Sequence, residues 1–459
     1  MKQDRSIVII GCGAGGGTAA QFAKKTNRKS SITIFEKGKY PQYSKCGLPY
    51  AISGIIQDFN NLIEFSEEWF KKAGIELFLE TVVEKIDVDK KIVIIKKGNE
   101  ETKKHYNKLI IATGAEPLIP PIKRIVENKT LIKGVFTVRT IEDAKNISSK
   151  IKDGSKAVII GAGFIGLEMA ENLIKRGLNI KVIEALSQIL FNNLDADMSK
   201  IVFSELSKNM DILLNNIVIK IESKNGKINQ VIIRNKQNGE ERKVATDFLI
   251  ISTGCMPEVS LAKNAGCVIG KTGGIVVNER CETNIKDIYA VGDCTEYFDY
   301  VSKKSIRMGL GSTAVRQGIA AGINAAGGIY QLLNGVLLSR TSKFFNMEIA
   351  AVGPTTNNLD EKNLVSGKFS GFSRPKYFPG GKSISLKVIA DKKTGKILSA
   401  QAVGNNAAQR VNTFAAAIVC GMTINNFRKL ETAYAPPVAP TLDAVTLVCD
   451  IVSKKLMRK

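Results

Sequence analysis

Short apolar runs that end at glycine-rich turns dominate the hydrophobic pattern of this chain. Two of them, 7–10 and 157–160, are four consecutive apolar residues followed directly by glycine. Each is followed by a second, largely apolar run, 32–35 or 180–183, that ends at a glutamate. Apolar runs of this length before turn signals predict buried strands. The chain therefore predicts two α/β units of the same kind.

Both first strands run into the pattern G-x-G-x-x-G. A glycine-rich turn lets the backbone approach a pyrophosphate at a helix N-terminus, and the acidic residue after the second strand accepts hydrogen bonds from a ribose diol. One such motif also occurs in ordinary tight turns. Here the strand, the turn and the glutamate all recur, so we predict two bound dinucleotides. The residues of the two motifs are Gly11, Gly13, Gly16 and Glu36, then Gly161, Gly163, Gly166 and Glu184.

A second duplication supports two related units. The apolar runs 109–111 and 249–251 each lead within three residues to a Thr-Gly pair. These pairs are Thr113-Gly114 and Thr253-Gly254.

The chain is long enough for about three domains, given its 459 residues and 44% hydrophobic content. The first predicted strand begins near Ile7, which leaves no room for a signal peptide. No uninterrupted apolar run approaches the roughly 18 residues that a membrane-spanning helix needs. We therefore expect a cytoplasmic protein that does not enter a membrane.

Positive charge is in large excess, with 66 lysine and arginine residues against 43 aspartate and glutamate residues and a net charge of +23. Such an excess suits phosphate-rich ligands, and it also suits nucleic acid. The lysines are scattered, as at Lys103 and Lys104, and do not form one basic run with interleaved aromatic residues. A solvated lysine-rich surface is favoured, and no nucleic-acid partner is predicted.

The eight cysteines contain no C-x-x-C pair and the chain has one histidine, so no metal site is predicted. Seven of the cysteines are expected to be buried and reduced. Cys46 is the exception, because it follows Lys45 at the predicted start of a helix through Ala51 and Ile52. The helix dipole and the lysine both favour its thiolate, which makes Cys46 the candidate nucleophile.

Taken together, these motifs resemble the pyridine nucleotide-disulfide oxidoreductase superfamily over essentially the whole chain. The resemblance implies an α/β fold with two Rossmann-like nucleotide-binding domains, one for FAD and one for NAD, and a C-terminal α+β dimerisation domain. It implies that Asp293 holds the flavin ribityl chain. The implied FAD-binding residues are Gly11, Gly13, Ala14, Gly16, Glu36, Lys37, Ser44, Ala112, Thr113, Gly114, Gly292 and Asp293. The implied nicotinamide-side residues are Gly161, Gly163, Ile165, Gly166, Glu168 and Glu184, and Gly254 is a further implied cofactor-binding residue.

Within the superfamily, the chain resembles the branch that has a single redox cysteine. Members with two redox cysteines carry C-x-x-x-x-C and a C-terminal His-Glu pair, whereas this chain has Pro41, Ala51 and only His105. The single-cysteine branch comprises coenzyme A disulfide reductases, NADH oxidases, NADH peroxidases and coenzyme A-dependent persulfide or sulfur reductases. The matching segments are 46–50, 374–380 and 434–437.

The branch implies three catalytic residues, Cys46, Tyr434 and Tyr377, with the tyrosines donating protons near the cysteine. Phe378 stands beside Tyr377, and the sequence leaves open which position corresponds to the family tyrosine. Electrons would pass from the nicotinamide through the flavin to a disulfide or sulfur substrate at Cys46. The acceptor stays open between coenzyme A disulfide, persulfide, sulfur and oxygen.

Two alternatives remain. An NADH oxidase would reduce oxygen through a sulfenate at Cys46, and a non-catalytic flavoprotein would use Cys46 only as a redox sensor. Peroxidase chemistry is disfavoured, because Ala14 stands where peroxidases of the branch carry a histidine.

NADH is preferred over NADPH, because Glu184 would repel a 2′-phosphate and residues 185–188 contain no arginine or lysine. Coenzyme A is a further candidate ligand, which requires cations near Cys46. Lysines and an arginine lie in segments that flank that entrance in family members, namely Lys24, Lys25, Arg28 and Lys72.

The domains are predicted to interleave. The FAD domain takes 1–119 and 248–327, the NAD(P)H domain takes 120–247, and the dimerisation domain takes 328–459. The last of these contains strand-like runs at 383–390 and 397–403 and helical stretches at 407–420 and 442–455. We expect a homodimer with shared active sites and no fused rhodanese domain.

Overall fold

The computed structural model describes residues 5–127, 130–307 and 309–458. They form two compact units, each assembled from segments that are separated in the chain. The first unit contains the residues up to Leu118, Val138–Ser149 and Gly254–Val336. The second contains Ile119–Thr137, Lys150–Thr253 and the residues from Leu337 onward. The predicted boundaries of three domains stay a prediction.

The centre of the first unit is a five-stranded parallel sheet. Its strands in spatial order are Ile288–Ala290, Lys108–Ile111, Ser6–Ile10, Ser31–Phe35 and Glu76–Phe78. Smaller sheets are formed by Val82–Asp87, Ile92–Lys97 and Glu100–His105, by Ala115–Pro117 and Cys255–Pro257, and by Ile275–Val276, Thr295–Phe298 and Ser305–Arg307. The α-helices are Ala14–Thr26, Leu48–Ile52, Glu67–Lys72, Ile141–Ser148, Ser260–Asn264 and Gly311–Ala325.

The second unit contains a parallel sheet, in which four of the five strands follow the same order as in the first unit, and an antiparallel sheet. The parallel strands are Val135–Thr137, Phe248–Ile251, Lys156–Ile160, Asn179–Ile183 and Asp211–Leu213. The five-stranded antiparallel sheet is Arg340–Phe344, Met347–Val352, Ile397–Gly404, Ser383–Asp391 and Leu364–Phe372. Smaller sheets are formed by Asn216–Lys224, Lys227–Asn235 and Glu241–Ala245, and by Val126–Glu127 and Thr130–Leu131. The α-helices are Phe164–Ile174, Ala196–Leu206, Ala407–Val419, Ile424–Phe427 and Ala444–Met457.

The first strand is apolar throughout because both of its faces are buried. Ile7 and Ile9 pack into a cluster with the alanines of helix Ala14–Thr26, whereas Val8 and Ile10 pack into a cluster on the opposite face. Successive side chains of a strand point to opposite faces, so burial on both sides requires an uninterrupted apolar run. The predicted α/β class, with its duplicated sheet and its mixed C-terminal region, is confirmed.

The helix that follows the first strand is fixed by close packing against helix Gly311–Ala325. Gly318 faces the first helix, and a Cβ atom added there would lie 2.4 Å from the carbonyl oxygen of Gly15. Only glycine allows the two helices to approach so closely, and this packing holds the turn before Ala14 in place.

Several local expectations can be compared with the structure. His105, the single histidine, is exposed on an edge strand. The expectation that every cysteine except Cys46 is buried is wrong at two positions: Cys420 is exposed at the end of helix Ala407–Val419, and Cys255 is partly exposed where a short strand begins. Among the described residues, no helix has both the length and the apolar character needed to cross a bilayer.

A buried charge cluster joins the helix Ala196–Leu206 to the antiparallel sheet of the second unit. Lys387, on strand Ser383–Asp391, lies 2.8 Å from the Asp195 carboxylate and donates to Asp197 at 2.7 Å. Burial acts against the charge of Lys387, but the two carboxylates outweigh it and raise its pKa. The side chains of Lys387 and Asp195 are 12% and 3% exposed, so the pair is largely shielded from solvent.

We expect Lys387→Met to destabilise the protein by about 3 kcal/mol, because it leaves the Asp195 carboxylate buried without its cation. Urea unfolding measures the loss, and Lys393→Met, at an exposed lysine of the same unit, provides the matched control. Lys387 also holds the pKa of Asp197 below its ordinary value despite partial burial, so this contribution is present at neutral pH. The difference between the wild type and the variant should therefore shrink as the pH falls below about 4. Equal effects of the two substitutions would contradict this assignment.

Candidate active site

Two glycines of the first turn pack closely against backbone atoms, and the third borders open space. A Cβ atom at Gly11, where φ is +101°, would lie 2.4 Å from the carbonyl oxygen of Ala112, and one at Gly16 would lie 2.0 Å from the carbonyl oxygen of Gly11. A Cβ atom at Gly13 would meet nothing within 4 Å. Gly11 and Gly16 are therefore required by the turn itself, whereas Gly13 leaves space for a ligand.

The helix after this turn begins without a capping side chain. Its first residue is Ala14, its N-cap is Gly13, and its first turn contains no acidic residue. The N–H groups at a helix start have no partner within the helix. Such N–H groups can donate to a phosphate group bound at the turn.

The second glycine turn repeats this geometry in the second unit. A Cβ atom added to Gly161 would lie 2.6 Å from the carbonyl oxygen of Ser252, and one added to Gly166 would lie 2.0 Å from the carbonyl oxygen of Gly161. A Cβ atom added to Gly163 would meet nothing within 4 Å. The helix Phe164–Ile174 likewise has no capping side chain and no acidic residue in its first turn. Ile165, at its start, is half exposed.

The two glutamates predicted to bind ribose are held in the same way. Glu36 accepts hydrogen bonds from the N–H groups of Cys12 and Gly38, both at 2.7 Å. Glu184 accepts from those of Ala162 at 2.7 Å and Leu186 at 2.9 Å. Each carboxylate therefore points at its own glycine turn and keeps lone pairs that can accept from hydroxyl groups.

Asp293 lies in a 3-10 turn, Gly292–Cys294, directly after a strand of the first sheet. Its carboxylate accepts a hydrogen bond from Arg139 at 3.2 Å. The N–H of Gly292 donates to the side chain of Gln317 at 2.8 Å, which fixes the turn. Neither Arg139 nor Gln317 was predicted, because both come from segments remote in sequence.

Further predicted cofactor-binding residues lie in the first unit. Thr113 donates through its hydroxyl to the carbonyl of Glu258 at 2.6 Å, and Gly114 follows it with φ +72°. Lys37 forms an exposed ion pair with Glu116 at 2.5 Å. The carbonyl of Gly254 accepts from the N–H of Leu118 at 3.0 Å.

Cys46 is exposed on a 3-10 turn, Lys45–Gly47, that continues into helix Leu48–Ile52. The predicted helix start is confirmed, although the helix is short and its dipole is correspondingly weak. Ser44 anchors the turn, since its N–H donates to the carbonyl of Leu62 at 2.8 Å.

Lys45 connects this turn electrostatically to the rest of the site. Desolvation by the surrounding protein atoms lowers the pKa of its ammonium, and repulsion from Arg139 lowers it further. Attraction from three carboxylates acts in the opposite direction, and these are Glu36, Asp293 and Glu116. Lys45, the neighbour of Cys46 in the chain, therefore lies within electrostatic range of the two predicted FAD-binding carboxylates.

Glu168, predicted on the nicotinamide side, is largely buried in helix Phe164–Ile174. Burial raises the pKa of its carboxyl group. Ser342 donates to it at 2.5 Å from strand Arg340–Phe344 of the antiparallel sheet. Nothing in the sequence near Glu168 indicates that Ser342 is its hydrogen-bond partner.

The two predicted tyrosines meet within the second unit. The hydroxyl groups of Tyr377 and Tyr434 are 2.9 Å apart, and both side chains are exposed. The hydrogen bond with Tyr434 raises the pKa of Tyr377. Phe378 instead packs beneath the guanidinium of Arg374, so Tyr377 is the position that pairs with Tyr434.

Of the cations considered for coenzyme A, two have local roles. Lys24 donates to the carbonyl of Ser30 at 3.0 Å, and the ammonium of Lys25 lies 4.7 Å from the centre of the Phe22 ring. These contacts account for both lysines without a ligand. Arg28 and Lys72 are exposed.

Comparison with known families identifies the family that has this set of residues. Residues 5–318 match the model of the pyridine nucleotide-disulphide oxidoreductases, and residues 339–445 match the dimerisation domain of the same group. The chain belongs to the pyridine nucleotide-disulphide oxidoreductase family. It is therefore a flavin-dependent NAD(P)H oxidoreductase, and the dimerisation domain indicates a homodimer.

Named relatives span nearly the whole chain. It is 38% identical to a protein named NADH oxidase from Methanocaldococcus jannaschii, over 98% of this chain and 99% of the relative. It is 32% identical to a protein named NAD(P)H sulfur oxidoreductase (CoA-dependent) from Pyrococcus furiosus, over 98% and 99% of the two chains. The solved structure of an NAD-dependent persulfide reductase from A. fulgidus has a TM-score of 0.92 and 34% identity, and the match covers 98% of this chain and 83% of that one.

The family implies FAD and NAD(P)H, and both glycine turns fit such groups. Each turn leaves an open face at its middle glycine, uncapped helix N–H groups behind it and a carboxylate beside it. These are the features that a dinucleotide pyrophosphate and ribose require.

The open faces of the turns can be tested with a matched pair of variants. Gly13 and Gly163 have extended backbones with φ −74° and −80°, which valine also adopts, so Gly13→Val and Gly163→Val should fold. We expect Gly13→Val to lack visible flavin absorbance and Gly163→Val to keep it but to bind nicotinamide nucleotide at least tenfold more weakly, because each added side chain fills one phosphate site. Absorbance spectra and calorimetric titration provide the two measurements. Retention of flavin by Gly13→Val would refute this assignment of the first turn.

Proposed function

We propose that this enzyme transfers electrons from NADH through FAD to Cys46 and reduces coenzyme A disulfide or a coenzyme A persulfide or polysulfide. The position of Cys46 carries the proposal, since its thiol is exposed and adjoins Lys45, whose charge interacts with Glu36 and Asp293. A relative named as a CoA-dependent sulfur oxidoreductase supports the choice of acceptor.

The chemistry follows from an exposed single thiol. The Cys46 thiolate attacks one sulfur of the acceptor disulfide, which breaks that bond, forms a mixed disulfide and releases one coenzyme A thiolate. Bound FAD supplies, when reduced by NADH, the two electrons that split the mixed disulfide. Cys46 returns to its thiolate form and the second coenzyme A leaves as a thiolate that takes up a proton.

Protonation of the leaving thiolate is assigned to the tyrosine pair. A phenol donates a proton to a leaving thiolate, and the hydrogen bond between Tyr377 and Tyr434 keeps Tyr377 protonated to higher pH. Tyr377 and Tyr434 lie in the second unit and Cys46 lies in the first. We propose that they act on the Cys46 of the partner subunit, so that each active site is shared by the homodimer.

The NADH preference is assigned to Glu184. Its carboxylate lies at the end of strand Asn179–Ile183 and can accept hydrogen bonds from the ribose hydroxyls of NADH. A carboxylate at this place disfavours a 2′-phosphate.

A second candidate function is NADH oxidation by oxygen, and the Methanocaldococcus relative is named NADH oxidase. Here Cys46 would cycle through a sulfenate. An exposed thiol suits this reaction as well. The two functions differ in whether a sulfur acceptor or oxygen reoxidises the enzyme.

We expect Cys46→Ser to abolish reduction of the sulfur acceptor, by roughly three orders of magnitude or more, because serine forms no mixed disulfide. In anaerobic stopped-flow experiments, NADH should bleach the flavin of the wild type, and coenzyme A disulfide or polysulfide should restore its colour. Cys420→Ser removes the other exposed cysteine and serves as the matched control. Rapid recovery with oxygen alone, unaffected by Cys46→Ser, would instead refute the thiol mechanism.

We expect Tyr434→Phe to lower kcat for the sulfur acceptor roughly 100-fold, because one proton donor is lost. The substitution also removes the hydrogen bond that raises the pKa of Tyr377. The alkaline limb of the kcat profile should therefore move to lower pH. Tyr330→Phe, in the first unit, is the control, and an unchanged alkaline limb in Tyr434→Phe argues against the paired phenols as the proton source.

A further inference from the structure

A lysine from a remote part of the chain lies at the loop that follows Glu184. Residues 185–188 contain no cation of their own. The ammonium of Lys236, however, donates to the carbonyl oxygen of Ala185 at 3.2 Å. A positive charge from another segment therefore lies beside the residue that follows Glu184.

Backbone hydrogen bonds hold Lys236 at this place. Its N–H donates to the carbonyl of Asn215 at 2.8 Å, and the N–H of Asn215 donates to the carbonyl of Leu186 at 3.0 Å. The next residue, Asn216, donates to the carbonyl of Glu184 at 2.9 Å. The loop after Glu184, the segment at 215–216 and the end of strand Lys227–Asn235 thus form one connected region.

Lys236 also has the accessibility that a ligand contact needs. Its side chain is exposed, as is that of Leu186, whereas the Glu184 carboxylate is turned toward the N–H groups of Ala162 and Leu186. In folds of this type, a cation near the ribose-binding acid accommodates the 2′-phosphate of NADPH. An ammonium binds phosphate as a point charge and through charge-assisted hydrogen bonds.

We propose that Lys236 binds the 2′-phosphate of NADPH and allows the enzyme to use NADPH as well as NADH. The inference rests on the proposed role of the second glycine turn as the nicotinamide-nucleotide site. It adds a residue that sets cofactor specificity and modifies the preference expected from Glu184 alone.

The test compares three variants of the flavin-loaded enzyme. The ratio of kcat/KM for NADPH to that for NADH should fall about tenfold in Lys236→Met, which corresponds to loss of one charge-assisted contact. Lys236→Arg should keep the wild-type ratio. Lys227→Met removes the same charge at the other end of strand Lys227–Asn235 and should also leave the ratio unchanged.

Calorimetric titration with NADP⁺ and NAD⁺ provides a readout that needs no turnover. We expect Lys236→Met to weaken NADP⁺ binding about tenfold and to make that binding less dependent on salt. In this variant, salt should weaken the binding of NADP⁺ and of NAD⁺ to the same extent. An unchanged NADP⁺ affinity in Lys236→Met, or an equal loss in Lys227→Met, overturns the inference. If NADH fails to bleach the wild-type flavin, the proposed function is refuted, and the NADP⁺ titration still decides the role of Lys236.

Discussion

The absence of a side chain at the third glycine of each turn is the constraint on which both nucleotide sites depend. At Gly16 and Gly166 a Cβ atom would lie 2.0 Å from the carbonyl oxygen of the first glycine, a distance at which the helix could not begin where it does. Because the helix starts so close to the strand, its uncapped N–H groups and the following glutamate face one small volume. The same distance is found in both units, so the two turns have the same local geometry.

The site differs from its surroundings in how its charges are arranged. Most of the lysine excess is on the exposed surface, where individual charges are screened and contribute little. At the site, Lys45, Arg139, Glu36 and Asp293 interact closely enough for the pKa of Lys45 to respond to all of them. Opposite charges held near one thiol are a setting in which thiolate chemistry is expected.

The sequence predicted those parts of the site that are local in the chain. The strands, turns and glutamates could be predicted because a strand, a glycine turn and a second strand form one unit of structure. Arg139, Ser342 and Lys236 could not, since each reaches its partner through sheet pairing or packing between remote segments. The same reason explains the error at Cys420, whose exposure depends on where its helix ends against the rest of the second unit.

Burial distinguishes Cys46, the proposed reactive thiol, from the cysteines that lie nearer the glycine turn and Asp293. Cys12 lies within the first turn itself, but it is 2% exposed and desolvation raises its pKa, so it remains a thiol. Burial likewise raises the pKa of Cys294, beside Asp293, to about 11. The proposed mechanism needs an exposed sulfur, because neither Pro41 nor Ala51 provides a resolving cysteine and the mixed disulfide would form with a substrate that arrives from solvent. Burial thus separates Cys12 and Cys294 from Cys46, which the turn Lys45–Gly47 keeps at the surface, whereas the exposed Cys420 belongs to the second unit.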